Sequence, residues 1–285
     1  MEYGSNFIYA FILTALAGLS TGLGAVIVLG MKRTNTKFLS AALGFSAGVM
    51  IYVSFMEMLP TGIESINEYF GNGSDWIGVL FFFIGVAFIA FIDSVIPEDE
   101  NPHEYTSEED LEKFSEIRDV KKVDRPNKTE KKDNSKDDLH RTGIMSALAI
   151  GIHNFPEGMA TFMSALVDPS LGLSIAIAIA IHNIPEGISV AVPIYYASGE
   201  KKKAILISLL SGLAEPIGAL VAALVLMPFL NDGIFGIIFS LVAGIMVYIS
   251  LDELLPSAEK YGAHHLAIYG VIAGMIVMAV SLLLL

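Results

Sequence analysis

Apolar residues in this chain come in long blocks and not in short alternating runs. Eight blocks stand out: 5–30, 38–60, 76–96, 142–167, 171–194, 204–228, 233–256 and 264–285. Each reaches the length of about 20 residues that a helix needs to cross a bilayer. The run Val79–Ile92 (VLFFFIGVAFIAFI) is apolar on every face, as expected of a helix bathed in lipid. Strands of a membrane barrel would run for about 10 residues with polar and apolar positions alternating, and no such pattern occurs. The expected fold class is all-α: a polytopic membrane protein with eight transmembrane helices. The first block follows an acidic start, Met1-Glu2-Tyr3, with no basic leader. It therefore reads as a retained span and not as a cleaved signal peptide.

The pattern vanishes between the third and fourth blocks. Residues 97–141 hold 15 Asp/Glu and 10 Lys/Arg, with Pro97, Pro102 and Pro126. That is the composition of a disordered or weakly helical linker. The chain then divides into helices 1–3 over 1–96, a disordered cytoplasmic loop over 97–141, a central helix pair over 142–194, and helices 6–8 over 195–285.

Composition narrows the class further. The 285 residues are 54% hydrophobic and 16% charged, whereas soluble chains carry about 25% charged residues. The absence of cysteine excludes disulfides, thiolate metal sites and thiol nucleophiles. A net charge of −13 argues against nucleic acid as a partner. The basic residues are more informative by position. They comprise Lys32, Arg33 and Lys37, the ten in 97–141, Lys201, Lys202 and Lys203, and Lys260, which together are all 17 in the chain. Basic residues favour cytoplasmic loops, so these alternate loops lie inside and both termini outside. The expected location is a cell membrane, crossed several times.

Two internal repeats follow from the same sequence. Gly48, Met50, Tyr52, Ser54, Glu57, Leu59 and Pro60 recur, at a constant offset of 196, as Gly244, Met246, Tyr248, Ser250, Glu253, Leu255 and Pro256. Gly18-Leu19 and Gly24-Ala25 recur at an offset of 194 as Gly212-Leu213 and Gly218-Ala219. Spans 2 and 7 run in opposite directions, so the repeat is inverted, an arrangement that puts a substrate site near the bilayer midplane. The central pair repeats as well: Ile152–Gly158 reads IHNFPEG and Ile181–Gly187 reads IHNIPEG.

These motifs carry the candidate chemistry. His153 and Glu157 are four residues apart, and Asn154 and Glu157 three apart, so on a helix they share a face. The same holds for His182, Asn183 and Glu186. Pro156 and Pro185 cannot donate to the carbonyls of Ile152 and Ile181, which frees two more oxygens at that depth. Span 6 adds Glu215 beside Pro216. No Lys or Arg lies within a span to neutralise Glu157, Glu186 and Glu215. Ionised groups at bilayer depth are costly and mark ion paths. Imidazole and oxygen without thiolate suit Zn²⁺, Fe²⁺, Mn²⁺, Co²⁺ or Cd²⁺ better than Cu⁺. Seven ligand groups could hold two adjacent metals through bridging carboxylates. Glu57 and Glu253 fall toward opposite faces, Glu253 with Asp252 and with His264 or His265 near the inner end. They read either as ligands that admit and release metal or as interface carboxylates that reach water.

At these residues the chain resembles the ZIP (Zrt/Irt-like) metal-transporter family, in particular its bacterial ZupT-like branch. The resemblance runs over nearly the whole chain, through eight spans, a long loop after span 3 and the paired HNxPEG motifs. It implies a 3 + 2 + 3 helical arrangement around a central metal pathway that carries divalent metal inward. It also implies motif ligands at His153, Asn154, Glu157, His182, Asn183 and Glu186. An acidic residue in span 6, here Glu215, resembles the one in a branch of broader specificity. The chain departs from many relatives in its 97–141 loop, which holds only His103 and His140; this speaks against a metal-sensing loop. The expected function is import of Zn²⁺ and also Fe²⁺, Mn²⁺, Co²⁺ and Cd²⁺, with no catalytic cofactor and no enzymatic activity. The expected partners are the metal ions and the lipid bilayer, with a homodimer as a candidate assembly. Two alternatives stand beside it: an intramembrane metalloenzyme, which lacks HExxH and a third intramembrane histidine, and a proton- or sodium-coupled carrier of an organic cation.

Overall fold

The computed structural model of the chain describes residues 6–30, 36–95, 134–261 and 264–284. Every regular element among them is helical. His103 and most of the expected loop lie outside the described residues. The end of that loop, from Asn134, already belongs to the following helix.

The first span is α1, Phe7–Gly30. The second is α2, Thr36–Val53, which continues through a wide π-helical turn, Ser54–Met58, into α3, Leu59–Phe70. Then follow α4, Asp75–Val95, α5, Asn134–Val167, and α6, Pro169–Ser198. Span 6 is broken at Leu213 into α7, Lys201–Gly212, and α8, Ala214–Val221, the latter running into a π turn at Ala222–Leu226. Next come α9, Asp232–Ile249, a π turn at Ser250–Leu254, and α10, Leu255–Tyr261. The last is α11, His264–Leu284.

Proline accounts for the π turns. Each of the three ends two residues before a proline: Pro60, Pro228 and Pro256. A proline ring clashes with the carbonyl four residues back and leaves it unpaired, and a wider turn absorbs both defects. The turns at Ser54–Met58 and Ser250–Leu254 occupy matching positions of the 196-residue repeat. Ser54 Oγ donates to Met50 O and Ser250 Oγ to Met246 O, both at 2.7 Å. By contrast, α5 and α6 run on through Pro156 and Pro185 without a break.

Seven of these helical stretches are long and apolar enough to cross a membrane. The expected span 142–167, within α5, is not among them, because its motif residues dilute its hydropathy. Much of the motif stretch of α5 is buried against other helices, whereas Phe83, Phe91 and Leu224 project outward at 61%, 67% and 77% exposure.

The helices pack as two groups. One holds α1, α5, α6, α7 and α8; the other holds α2, α3, α4, α9, α10 and α11. Reciprocal glycine contacts join the helices inside each group. A methyl on Gly24 would strike Ile184 O and one on Gly187 would strike Thr21 O; Gly218 and Gly158 meet Phe155 O and Glu215 O in the same way. In the second group Gly48 and Gly274 meet Val271 O and Phe45 O, and Gly244 and Gly85 meet Phe82 O and Leu241 O. Small residues at such crossings let backbones touch, which is how helices associate in lipid. Between the groups, α2 lies against α6. On the pseudo-symmetric side a cleft of about 760 Å³ opens instead, lined by Phe88, Ile92, Phe155, Ile217, Leu241 and Ile245 among others.

Candidate metal centre

The motif residues sit in the middle of α5 and α6, where the two helices pack along each other. His153, Asn154, Glu157, His182, Asn183, Glu186 and Glu215 are all buried, none more than 4% exposed. The helical spacing read from the sequence brings them together, and Glu215 enters at the start of α8, just past the break at Leu213.

The ligand groups meet in pairs across helices. His182 Nε2 lies 3.2 Å from Glu157 Oε2. His153 Nε2 lies 3.1 Å from Glu253 Oε1. Asn183 Nδ2 donates to Ala17 O at 3.0 Å and also to Glu215 Oε1. The Asn154 amide lies between Ser211 O, at 3.4 Å, and Glu186 Oε2 with Ile150 O, at 3.3 and 3.2 Å. Turned toward Glu186, its NH₂ makes two bonds instead of one longer one, and that orientation satisfies it best. Asn183 donates to Ala17 O and Asn154 lies beside Ser211 O, two carbonyls that are themselves 194 residues apart.

Beyond these pairs, Glu157 Oε1, Glu215 Oε2, Asn183 Oδ1 and His182 Nδ1 are buried without a hydrogen-bond partner. The carboxylates of Glu157, Glu186 and Glu215 are close enough to act on one another electrostatically. No Lys or Arg occurs between 38 and 96, 142 and 200, or 204 and 259. Buried polar atoms are normally paired, and buried anions need a counter-charge. Unpaired acceptor oxygens beside imidazoles, with no basic side chain in reach, form a donor set that fits a divalent cation. Among the described residues no three His, Asp or Glu side chains form a ready-made cage; the ligands are collected in one layer but bonded to each other.

The secondary candidates separate. Glu253 is buried at 5% exposure and bonded to His153, so of the two readings left open for it, contact with the centre replaces contact with water. Its repeat mate Glu57 is only half-buried and bonds to Thr61. Asp252 is exposed. His264 is exposed and bonds to Glu259 Oε1 through Nδ1 at 2.7 Å, and His265 packs its ring on Tyr269. These three stand apart from the centre. The sequence does not single out Ala17, whose carbonyl holds Asn183, or Ser211, whose carbonyl lies beside Asn154. Their signal was present in the 194-residue offset, which pairs Ala17 with Ser211 as it pairs Gly18 with Gly212.

Comparison with known proteins gives one consistent result. The family described as ZIP zinc transporter matches residues 5–282. The chain is 59% identical to a zinc transporter ZupT of Clostridium perfringens over 281 residues, which covers 98% of this chain and 97% of the relative. It is 57% identical to a zinc transporter ZupT of Streptococcus mutans, covering 96% and 97% of the two chains. With a zinc transporter ZupT of Oceanobacillus iheyensis it shares 56% identity over 98% and 99% of the two.

Proposed function

The chain belongs to the ZIP zinc transporter family, and from that premise we propose that it imports divalent transition metal, zinc foremost, across a bacterial inner membrane. The reading makes it a multi-pass protein of eight spans with both termini outside, α5 supplying the span that its own hydropathy under-reports. Metal reaches a midplane site formed by His153, Asn154, Glu157, His182, Asn183, Glu186 and Glu215. Family membership displaces the metalloenzyme and the organic-cation carrier considered from the residues alone.

One observation carries the site assignment. Glu157 Oε1, on the carboxylate that meets His182, and Glu215 Oε2 are buried and unpartnered, at a depth without basic residues. A hydrated cation that sheds its water replaces those losses with metal–oxygen and metal–nitrogen bonds. As it binds, Glu157 exchanges His182, and Glu186 exchanges Asn154, for the metal. The pairwise bonding lowers the cost of the unloaded ligands and keeps the site from holding its cargo too tightly, as conduction requires. Glu253, bonded to His153, is the natural next ligand on the way out. The glycine-lined crossings stay rigid within each helix group, so the cleft between the groups is where relative movement has room. The ligand set also accommodates Fe²⁺, Mn²⁺, Co²⁺ and Cd²⁺.

The test is uptake of radioactive zinc into proteoliposomes by the wild type, Glu157→Ala and Glu186→Ala. Both variants should lose uptake. Unchanged uptake in both removes the site assignment, and no uptake by the wild type removes the function.

A further inference from the structure

Thr21 is fully buried, yet its Oγ1 has no hydrogen-bond partner. Two other buried threonines behave differently. Thr14 and Thr161 give their hydroxyls to the carbonyl four residues back, each at 2.9 Å. Thr21 cannot do the same, because Ala17 O already accepts Ser20 Oγ at 2.6 Å and Asn183 Nδ2 at 3.0 Å. A buried hydroxyl left over in this way is uncommon and calls for a role.

Its position supplies one. The 194-residue offset that matches Gly18 to Gly212 and Gly24 to Gly218 also matches Thr21 to Glu215. The backbone contacts keep this correspondence. A methyl on Gly18 would lie 3.3 Å from Glu215 Cβ, and a methyl on Gly212 would lie 3.0 Å from Thr21 Oγ1. Thr21 O lies against Gly187 as Glu215 O lies against Gly158. Glu215 is bonded to Asn183 of one motif, and the symmetry counterpart of Asn183 is Asn154 of the other. Thr21 therefore stands, across the pseudo-twofold axis, where Glu215 stands.

We propose that Thr21 is a neutral oxygen donor of the cation site, filling the position symmetric to Glu215 without adding a fourth charge. The proposal rests on the transport reading above. A glutamate there would complete a four-carboxylate shell and hold a divalent cation too firmly to release it. An apolar residue would leave that side of the cation with neither ligand nor hydrogen-bonded water. The hydroxyl supplies the contact at low cost to release.

The experiment measures initial rates of zinc uptake in proteoliposomes, normalised to incorporated protein, for the wild type, Thr21→Val and Thr21→Ser. Valine keeps the shape and removes the oxygen. It should raise the zinc KM about fivefold, the scale of one lost neutral polar contact, while the maximal rate is retained. Serine should restore the wild-type KM. A valine KM indistinguishable from wild type, or a serine variant that behaves like valine, overturns the proposal. If the valine protein does not incorporate as a folded species, Thr21→Ala is read by the same criteria. Normal wild-type uptake with an unchanged Thr21→Val KM sinks this proposal alone, whereas wild-type uptake no greater than that of empty liposomes sinks the transport reading and this proposal with it.

Discussion

Replacing Glu157 by Gln separates binding from stability. The side chain is 1% exposed, its Oε2 is 3.2 Å from His182 Nε2, and its Oε1 has no partner. Glutamine keeps the volume and a hydrogen-bonding group next to His182 but removes the charge. A hydrogen bond to an ionised group is worth about 1.5–3 kcal/mol. At tenfold per 1.4 kcal/mol, losing a charged ligand of this kind weakens zinc binding by about 10–100-fold. The same change removes a buried carboxylate that no Lys or Arg neutralises and keeps a hydrogen-bonding group on His182, so without metal the variant should melt at the wild-type temperature or higher. Zinc reverses the order. At a free concentration 100 times the wild-type Kd, zinc stabilises the wild type by about 2.7 kcal/mol and the variant by only about 0.4–1.4 kcal/mol. The assay is thermal unfolding of detergent-solubilised protein, first in chelator and then in buffered zinc. A Glu157→Gln variant that keeps the full wild-type zinc shift would refute the reasoning, because the carboxylate would then not be a ligand.

Three further outcomes follow. Gly187→Ala puts a methyl against the Thr21 carbonyl while a methyl on Gly151 meets nothing nearer than 4.0 Å, so the first should lower the melting temperature by the equivalent of about 1–3 kcal/mol and Gly151→Ala should not; equal midpoints would contradict the close crossing of α1 and α6. Glu253→Gln should cut zinc uptake by about tenfold, as expected for one lost charge-assisted bond, whereas Glu57→Gln, half-buried, should change it little; equal losses would mean that the pairing of Glu253 with His153 does not matter. The chain has no cysteine, so single cysteines report topology directly: Asp168→Cys should react with an impermeant maleimide from outside and Lys201→Cys only after the membrane is opened, and the reverse result overturns the orientation.

Much of the candidate centre was legible before any coordinates. The repeat of His-Asn-x-Pro-Glu-Gly at helical spacing predicts two ligand faces, and the helices α5 and α6 present them as expected because a membrane span must be helical to satisfy its backbone. Glu215 was legible for a different reason: a carboxylate in an apolar block with no base nearby has few other uses. The wide turns at Ser54–Met58 and Ser250–Leu254 were not legible. Proline says that a carbonyl will be lost, but α5 and α6 absorb Pro156 and Pro185 without changing pitch, so the local sequence does not decide which response occurs. Glu253 was ambiguous for a similar reason. It and Glu57 have the same sequence surroundings, yet one is buried on His153 and the other is half-exposed, because packing between the two helix groups differs on the two sides of the symmetry axis.

The sequence by itself determined the helical class, the position of nearly every helix, the repeats at offsets of 196 and 194, and the residue types of the candidate site. These follow from requirements that act locally: apolar length against bilayer thickness, helical periodicity, and the cost of unpaired charge in lipid. The tertiary structure decided which candidate site residues touch, that His182 takes Glu157 while His153 takes Glu253, and that the Thr21 hydroxyl is left without a hydrogen-bond partner. Those outcomes depend on backbones meeting at glycine crossings between helices far apart in sequence, where a shift of one turn would exchange every partner, and no local rule of composition or spacing fixes that register.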